Sequence, residues 1–251
     1  EMVIRDWSSD VCSSDLNMAS IRGEICTSCG FCTELCRFDA IRRQSNGRFE
    51  VDPFACEGCG VCVRFCPSAA IGFPERTSGR WMISDTRCGP MVHARLTPGA
   101  ENSGKLVATV RENAFELAVD KRKQLIISDG PPGIGCPVIS SLTGVSLALV
   151  VVEPSVSGLH DLGRVIDLAR HFSVPVAVSV NKWDINRDLT EKIESAAFDA
   201  GASVVGRVRY DRFVTEAQLQ RKATVEMDCP AASDICKLWK QVSDLLESGR
   251  N

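Results

Sequence analysis

The sequence predicts an α/β protein that carries a second, smaller unit rich in cysteine. After about residue 103, short apolar runs alternate with segments of helical periodicity, which indicates a parallel sheet covered on both faces. Before residue 76, eight cysteines fall in two matching runs. The length of 251 residues fits one larger domain and one small one.

Composition excludes several broad classes of protein. Hydrophobic residues make up 44% of the chain and charged residues 24%, as in ordinary globular domains. The net charge of −3 argues against a nucleic-acid partner, and the longest apolar run, Leu147 to Val152, is too short to cross a membrane. Because eight of the thirteen cysteines are in cluster spacing, we expect a reducing, cytoplasmic location and no integral membrane segment.

The two cysteine runs have the spacing of bacterial two-cluster ferredoxins, with Pro67 after the second. In that pattern three thiolates of one run and the last thiolate of the other hold each 4Fe-4S cluster. The glycines Gly30, Gly58 and Gly60 allow tight turns between the ligands. Zinc or a disulfide framework is the alternative, but zinc prefers two separated pairs of thiols. We therefore expect two 4Fe-4S clusters, held by Cys26, Cys29, Cys32 and Cys66 and by Cys56, Cys59, Cys62 and Cys36.

The first sixteen residues differ in character from the rest of the chain. Asp6 to Leu16 resembles the in-frame translation of a common sequencing adapter, and residues 1–5 fit its index region. The stretch lacks the basic start and apolar centre of a signal peptide. A polar, disordered leader is the alternative. We expect residues 1–16 to be an artefact, and the natural reading frame to have been cut upstream of Asn17.

The remaining chain divides at the end of the cysteine unit. We expect a lead-in over residues 17–24 and a ferredoxin-like α+β domain over 25–75, with a hairpin turn at Asn46-Gly47. Residues 76–251 form the larger domain, in which 76–97 is interpreted as a turn-rich connection. Within it the periodicity predicts helices over 105–121, 136–142, 159–172, 189–200 and 235–246, and strands over 125–128, 147–152, 175–180 and 202–208.

Polar motifs follow the predicted strands, at the edge of a parallel sheet where ligands bind. Asp129 could reach a magnesium ion through water and the Pro-Pro-Gly turn ending at Gly133 could sense a phosphate, although Asp129 could equally cap the next helix. Asn181-Lys182-Trp183-Asp184 has the spacing of a base-reading loop: Asn181 would bond the purine edge and the Lys182 stem would lie over the ring. Tyr210-Asp211 follows the last strand.

In this order, these motifs resemble the MinD-like P-loop ATPases that contain an inserted ferredoxin domain. The matching strings are 101–107, 129–138, 152–162 and 181–184. The resemblance implies an ATPase that couples nucleotide state to electron transfer through two 4Fe-4S clusters, and a homodimer with ATP at its interface. It also implies a magnesium-side role for Asp129, phosphate sensing by Gly133, and base reading by Asn181 with Asp211 nearby.

The chain departs from that family in one respect. The family begins with a strand and a glycine-rich phosphate loop, and the sequence contains no such loop. The Gly104-Lys105 pair lacks the preceding glycines and a following Ser or Thr. Because the loop supplies most of the charge stabilisation for phosphoryl transfer, we expect this chain to bind ATP weakly and hydrolyse it negligibly.

Two other functions remain open from the sequence. The chain could be a simple electron carrier whose α/β domain is a docking module for an unknown redox partner. It could instead be an iron–sulfur assembly scaffold or carrier, although Cys229 and Cys236 are seven residues apart and do not form a closely spaced pair. The base-reading motif also suits guanine, so GTP is the alternative nucleotide.

Overall fold

The computed structural model describes residues 3–97 and 104–249, the side chains of 3–16 and 76–78 excepted. The chain divides into two compact units between Asp129 and Gly130. The string 101–107 lies partly outside the described residues, and its helical part begins at Gly104.

The cysteine runs lie on loops that lead into two very short helices, α1 and α2. Two short antiparallel strand pairs accompany these helices. In one, β2 pairs with β5, and in the other, β3 pairs with β4. Asn46-Gly47 makes the turn between β3 and β4, as predicted, and Gly47 has a φ of 80°. The elements are β2 (Ser20–Ile21), α1 (Phe31–Leu35), β3 (Ile41–Arg43), β4 (Phe49–Val51), α2 (Val61–Arg64) and β5 (Ile71–Gly72).

A second antiparallel sheet follows, in the segment that the sequence analysis interpreted as a connection. The backbone of β1 (Val3–Asn17) pairs with β6 (Glu75–Thr86), which pairs in turn with β7 (Gly89–Leu96). The helix α3 (Gly104–Asp120) packs beside β7. The hairpin was missed because Gly79, Cys88 and Gly89 were interpreted as breaks, whereas Arg87-Cys88 is the turn and Gly79 lies inside β6. The artefact origin of residues 1–16 stays a prediction.

The second unit confirms the predicted parallel α/β fold. Its three strands lie in the order β10-β9-β8, and all are parallel. The elements are α4 (Cys136–Leu142), β8 (Ala148–Val152), α5 (Val156–His171), β9 (Val176–Asn181), α6 (Arg187–Asp199), β10 (Ser203–Val208), α7 (Arg212–Leu219) and α8 (Pro230–Ser248).

The core of this unit forms where α5 and α6 pack beside the central strand β9. Val178 and Val180 on β9 are fully buried, and Leu162 on α5 and Ile193 on α6 are almost or completely buried. Parallel strands require apolar cover on both faces, and β9 is the strand that has it. The longest apolar run, Leu147 to Val152, lies instead on β8, where Leu149 and Val151 are exposed.

Capping side chains mark the starts of α5 and α6. They therefore also set the length of the loops between these helices and the strands before them. Ser155 accepts a hydrogen bond from the Gly158 amide at 3.0 Å at the start of α5. Asn186 accepts one from the Leu189 amide at 3.1 Å at the start of α6. These oxygens satisfy amides that a helix leaves unpaired in its first turn.

The predicted strand over 125–128 is absent, which corrects the sequence analysis. Residues 123–130 contain neither helix nor strand, and Leu125, Ile126 and Ile127 are exposed. A run of apolar, β-branched residues forms a strand only where it can hydrogen-bond to the edge of a neighbouring strand. No strand of the described residues pairs with it.

The C-terminal region contains more helix than the periodicity predicted. α7 was not predicted, and α8 begins at Pro230, five residues before the expected start at Ile235. Arg209, just after β10, donates to both carboxylate oxygens of the nearly buried Asp234 on α8, at 2.7 and 3.0 Å. These hydrogen bonds lower the pKa of Asp234 and hold α8 against the sheet. Among the described helices, none has the length and apolar character needed to cross a membrane.

Truncation of Leu162 tests the importance of this core. Leu162 is 2% exposed, so Leu162→Ala should lower the free energy of unfolding by about 2–5 kcal/mol through lost burial and a residual cavity. Leu219, on α7, is 81% exposed, and Leu219→Ala is the matched control, with an expected change below about 0.5 kcal/mol. Urea unfolding followed by circular dichroism measures both, and equal effects would contradict this account of the core.

Candidate iron–sulfur centres

The two cysteine runs adopt the same backbone geometry, thirty residues apart in sequence. The Cys26 amide donates to the Arg22 carbonyl at 3.1 Å, and the Cys56 amide donates to the Asp52 carbonyl at the same distance. α1 begins after Gly30 with a φ of 80°, and α2 begins after Gly60 with a φ of 72°. The internal repeat in the sequence is therefore a repeat in three dimensions.

The cysteines surround two separate cavities, each completed by the last cysteine of the other run. We call the cavity of Cys26, Cys29, Cys32 and Cys66 the first cysteine site. The second cysteine site is lined by Cys36, Cys56, Cys59 and Cys62. These are the two groups that the sequence analysis predicted, and they fit the ligand sets of two 4Fe-4S clusters.

The cysteines surround each cavity rather than meeting at one point. Among the described side chains, no three His, Cys, Asp or Glu residues are placed to hold a single metal ion, and all the cysteines are free of disulfides. A zinc ion requires thiolates gathered at about 2.3 Å from one centre. A 4Fe-4S cube has its irons at separate corners, so ligands spaced around a cavity suit it.

Backbone amides donate to the last cysteine of each run. The Ala40 amide lies 3.4 Å from Cys36 Sγ, and the Ala70 amide lies 3.3 Å from Cys66 Sγ. The chain reaches this geometry through left-handed residues at Asp39 and Ala69, with φ of 50° and 48°. Hydrogen bonds to ligand sulfur stabilise the thiolate and tune the electronic properties of a bound cluster.

The cysteine thiols of the two sites differ in how readily they ionise. Burial, together with the nearby Cys56 and Cys59, raises the pKa of Cys62 to about 11. Burial also raises the pKa of Cys32. For Cys66, burial opposes ionisation, but hydrogen bonds from the Ser68 hydroxyl and from nearby amides lower its pKa overall. Because iron binds the thiolate form, iron binding would release protons from Cys62 and Cys32.

Each site has one cysteine open to solvent. Cys29 and Cys59, which occupy equivalent positions in the two runs, are exposed, whereas the other six cluster cysteines are partly buried. Each cavity also has an aromatic ring beside a left-handed glycine, Phe49 at the first site and Phe73 at the second. Both sites therefore have an apolar cover and one edge that is open to solvent.

Only some of the predicted nucleotide residues lie at the carboxyl edge of the parallel sheet. Asp129 does not, because the strand predicted before it is absent. Asn181 ends β9, beside Val208 at the end of β10. It is partly buried, and no described residue bonds to its side chain. Gly133 is exposed with a φ of 92°. Asp129 is exposed in the coil at the end of the first unit, not at the end of a strand.

The other predicted nucleotide residues bond within the protein. Lys182 Nζ lies 2.6 Å from Glu153 Oε1, joining the loops after β9 and β8. Asp184 Oδ1 accepts from the Tyr210 amide at 2.7 Å, joining the loops after β9 and β10.

Asp211 has a structural role as well. Its carboxylate accepts from the Phe213 amide at 3.0 Å, which caps α7, and from the Ala231 amide at 3.2 Å, in the first turn of α8. The sequence analysis missed this role because neither helix start was recognised.

Comparisons with known proteins bear on both the cysteine sites and the parallel-sheet unit. Residues 25–70 match the family described as a 4Fe-4S dicluster domain. The MinD cell division protein of Aquifex aeolicus has a similar fold, with a TM-score of 0.50 and 18% identity over 65% of this chain and 69% of that chain. The chain combines a two-cluster iron–sulfur domain with a MinD-like fold.

Curated relatives of this MinD-like chain come from Methanocaldococcus jannaschii. One, an uncharacterized protein, is 38% identical over 64% of this chain and 55% of its own length. Another, named an iron-sulfur cluster carrier protein, is 23% identical over 60% of this chain and 56% of its own length. The chain thus spans about half the length of the curated relatives it matches.

Gly58 should be essential for loading the second cysteine site. A Cβ atom there would overlap the Asn17 carbonyl oxygen, and the φ of 61° is left-handed. We expect Gly58→Ala to displace the loop between Cys56 and Cys59, and bound iron to fall from about eight atoms to about four.

Gly47→Ala is the matched control. Gly47 also has a left-handed φ, of 80°, but a Cβ atom there would meet no neighbouring atom within 4 Å, so only backbone strain is added. Iron and sulfide analysis of both purified variants measures the effect. Full loading of Gly58→Ala would show that the close approach to Asn17 is not needed.

Proposed function

We propose that the chain is an iron–sulfur electron-transfer protein of MinD-like type, in which the nucleotide state of the parallel-sheet unit is coupled to electron transfer through two 4Fe-4S clusters. The cysteine unit supplies the redox centres. The sheet unit supplies part of an ATP and Mg²⁺ site. A redox partner protein of unknown identity would receive or donate the electrons, and the complete form would act as a homodimer.

The observation that carries the proposal is the arrangement of the eight cysteines in two separate four-thiol cavities. Two clusters within one small unit allow an electron to enter at one and leave at the other. The exposed Cys29 and Cys59 give each site an edge open to solvent. A metal site that only stabilised the fold would need neither feature.

The nucleotide part of the proposal is supported by the carboxyl edge of the sheet. Asn181 leaves its amide available beside the loop that carries Tyr210, whose side chain is 61% exposed. The Lys182–Glu153 and Asp184–Tyr210 bonds hold the loops after all three strands together. We propose that Asn181 reads the base, while Asp211 shapes the site from behind by fixing α7 and α8.

Asp129 and Gly133 keep the roles that the motif gives them. Asp129 would hold magnesium through water, and the left-handed Gly133 would respond to the terminal phosphate. When a nucleotide binds, Lys182 would leave its ion pair with Glu153, and the hydrocarbon stem of its side chain would lie over the base. Such an exposed ion pair costs little to open.

Cluster carriage is the second candidate, and one observation favours it. A relative similar over 60% of this chain is named an iron-sulfur cluster carrier protein. A carrier releases its cluster to an acceptor, whereas an electron carrier keeps its clusters through many turnovers. Cys229 is buried and Cys236 is exposed, so these two thiols do not form a second open metal site.

Iron retention separates electron transfer from cluster carriage. The anaerobically reconstituted chain should hold about eight iron and eight sulfide ions, and should keep them during repeated reduction and reoxidation and during incubation with an excess of apo-ferredoxin. Transfer of most of the iron to the acceptor would overturn the electron-transfer proposal in favour of carriage. A chain in which Cys29 and Cys59 are both replaced by Ser is the control with weakened sites.

Nucleotide hydrolysis by the chain as it stands should be negligible. Without a phosphate loop, no row of amides and no lysine surrounds the phosphates, and this removes most of the transition-state stabilisation. We expect phosphate release from Mg-ATP to match a buffer blank, and Asn181→Ala to leave that result unchanged. Robust turnover that Asn181→Ala reduces would contradict this account of the site.

A further inference from the structure

The two cysteine sites arise from one repeat, so each residue around the first site can be compared with the residue thirty positions away around the second. Features that both sites share affect both clusters alike and cannot make them different. The Ala40 and Ala70 amides donate to equivalent cysteines at 3.4 and 3.3 Å, and Cys29 and Cys59 are both exposed. The remaining differences, in charge and in hydrogen-bond donors, distinguish the two sites.

The first difference is a reversal of charge at the start of the runs. Arg22 and Asp52 occupy equivalent positions, since each carbonyl accepts from the first cysteine of its run at 3.1 Å. The Arg22 guanidinium also donates to the Ala69 carbonyl at 2.5 Å, within the loop whose amides bond to Cys66. A positive charge therefore lies beside the first site, and a carboxylate lies at the start of the second run.

The Asp52 charge is only partly balanced. Its nearest cation is Arg42, at 3.7 Å, and one carboxylate oxygen accepts from the Phe54 amide at 2.9 Å. The Arg42 side chain is 70% exposed, so solvent weakens its effect on the carboxylate.

The second difference is between two equivalent residues beside the cavities. Thr27 lines the first site, whereas the equivalent residue, Glu57, lines the second. A neutral hydroxyl side chain is thus replaced by a carboxylate. Glu57 is exposed, so its carboxylate lies in solvent beside the second site, where it opposes further negative charge through a repulsion that solvent partly screens.

The third difference is a hydrogen-bond donor to sulfur. The Ser68 hydroxyl lies 3.6 Å from Cys66 Sγ, at the first site. The equivalent residue at the second site is Phe38, whose ring lines the cavity and has no donor. The first site therefore has one more group that can stabilise charge on a ligand sulfur.

The remaining unequal charges differ from Arg22 in having no side-chain hydrogen bond or ion pair among the described residues. Glu24, Glu34, Arg37 and Arg64 are exposed and line neither cysteine site. Such side chains move freely in solvent and are screened by salt, whereas the Arg22 guanidinium is held by the Ala69 carbonyl, in the loop that bonds to Cys66. The differences beside the cavities and in the hydrogen bonds consequently decide the balance.

We propose that the first cysteine site holds its cluster at a higher reduction potential than the second, because of Arg22, Ser68 and the position of Glu57. The inference rests on the proposed two-cluster assignment. Reduction adds one negative charge to a cluster, and nearby positive charge and donors favour the reduced form, whereas a carboxylate disfavours it. All three differences act in the same direction.

The inequality gives internal electron transfer a direction. A low-potential one-electron donor that reduces the second site would see its electron pass to the first, so that one cluster is oxidised by one electron as the other is reduced by one. No bond is formed or broken in this step. Exit to an acceptor would then take place from the first site, at the exposed Cys29.

A reductive titration of the reconstituted chain tests the proposal. Dithionite supplies the electrons, with electron paramagnetic resonance recording each step. We expect two one-electron steps, in which a single electron occupies the higher-potential site at least ten times as often as the other. A tenfold preference corresponds to about 59 mV for a one-electron couple.

Two variants assign the steps to the sites. Ser68→Ala should shift the upper step to lower potential and leave the lower step in place. Glu57→Gln, at an exposed position that should not disturb folding, should raise the lower step and leave the upper step in place. Two overlapping steps in the native chain, a shift of the lower step by Ser68→Ala, or a shift of the upper step by Glu57→Gln would each overturn the proposal.

Iron analysis keeps this test distinct from that of the proposed function. If the native chain binds far fewer than eight iron atoms, the two-cluster assignment itself fails. If it binds eight and the steps behave otherwise than expected, only the inequality fails. If Ser68→Ala loses iron, Glu57→Gln still decides the outcome.

Discussion

The cysteine unit depends on a backbone constraint that is used twice. The chain turns left-handed at Gly30 and Gly60 to begin each short helix, and again at Asp39 and Ala69 after it. The second turn brings an amide onto the sulfur of the last cysteine in the run. The helix thereby carries that cysteine away from its own run and into the other cavity, so neither site can be completed without the other.

This interdependence explains why so small a unit can hold two metal centres. α1 has five residues and α2 four, and neither contains a buried residue. Their packing alone contributes little to stability, because a unit of this size buries too little apolar surface. Ligand bonds in each site would join both runs, and bound clusters would therefore take the place of a larger core.

Several features could be predicted from the sequence because they are set by local spacing. Cysteine spacing predicted both groups of four thiols, and continuous apolar runs predicted β8, β9 and β10 to within one residue of their observed bounds at every end. The run at Leu125–Ile127 shows the limit of this reasoning, since a strand requires a neighbour that periodicity does not reveal. Asp211 shows another limit: its two amide partners, on α7 and α8, come together only in the folded chain.

The same distinction applies to the function of the two units. The cysteine sites are defined by ligands that one short segment supplies, whereas the sheet edge is defined by bonds between loops far apart in sequence. Lys182–Glu153 and Asp184–Tyr210 bind these loops to one another while Asn181 keeps its amide available. A nucleotide at this edge would have to displace one exposed ion pair but could leave the Asp184 bond intact. Its binding would therefore change the Lys182–Glu153 pair first, and that pair is the place where nucleotide state would begin to alter the sheet unit.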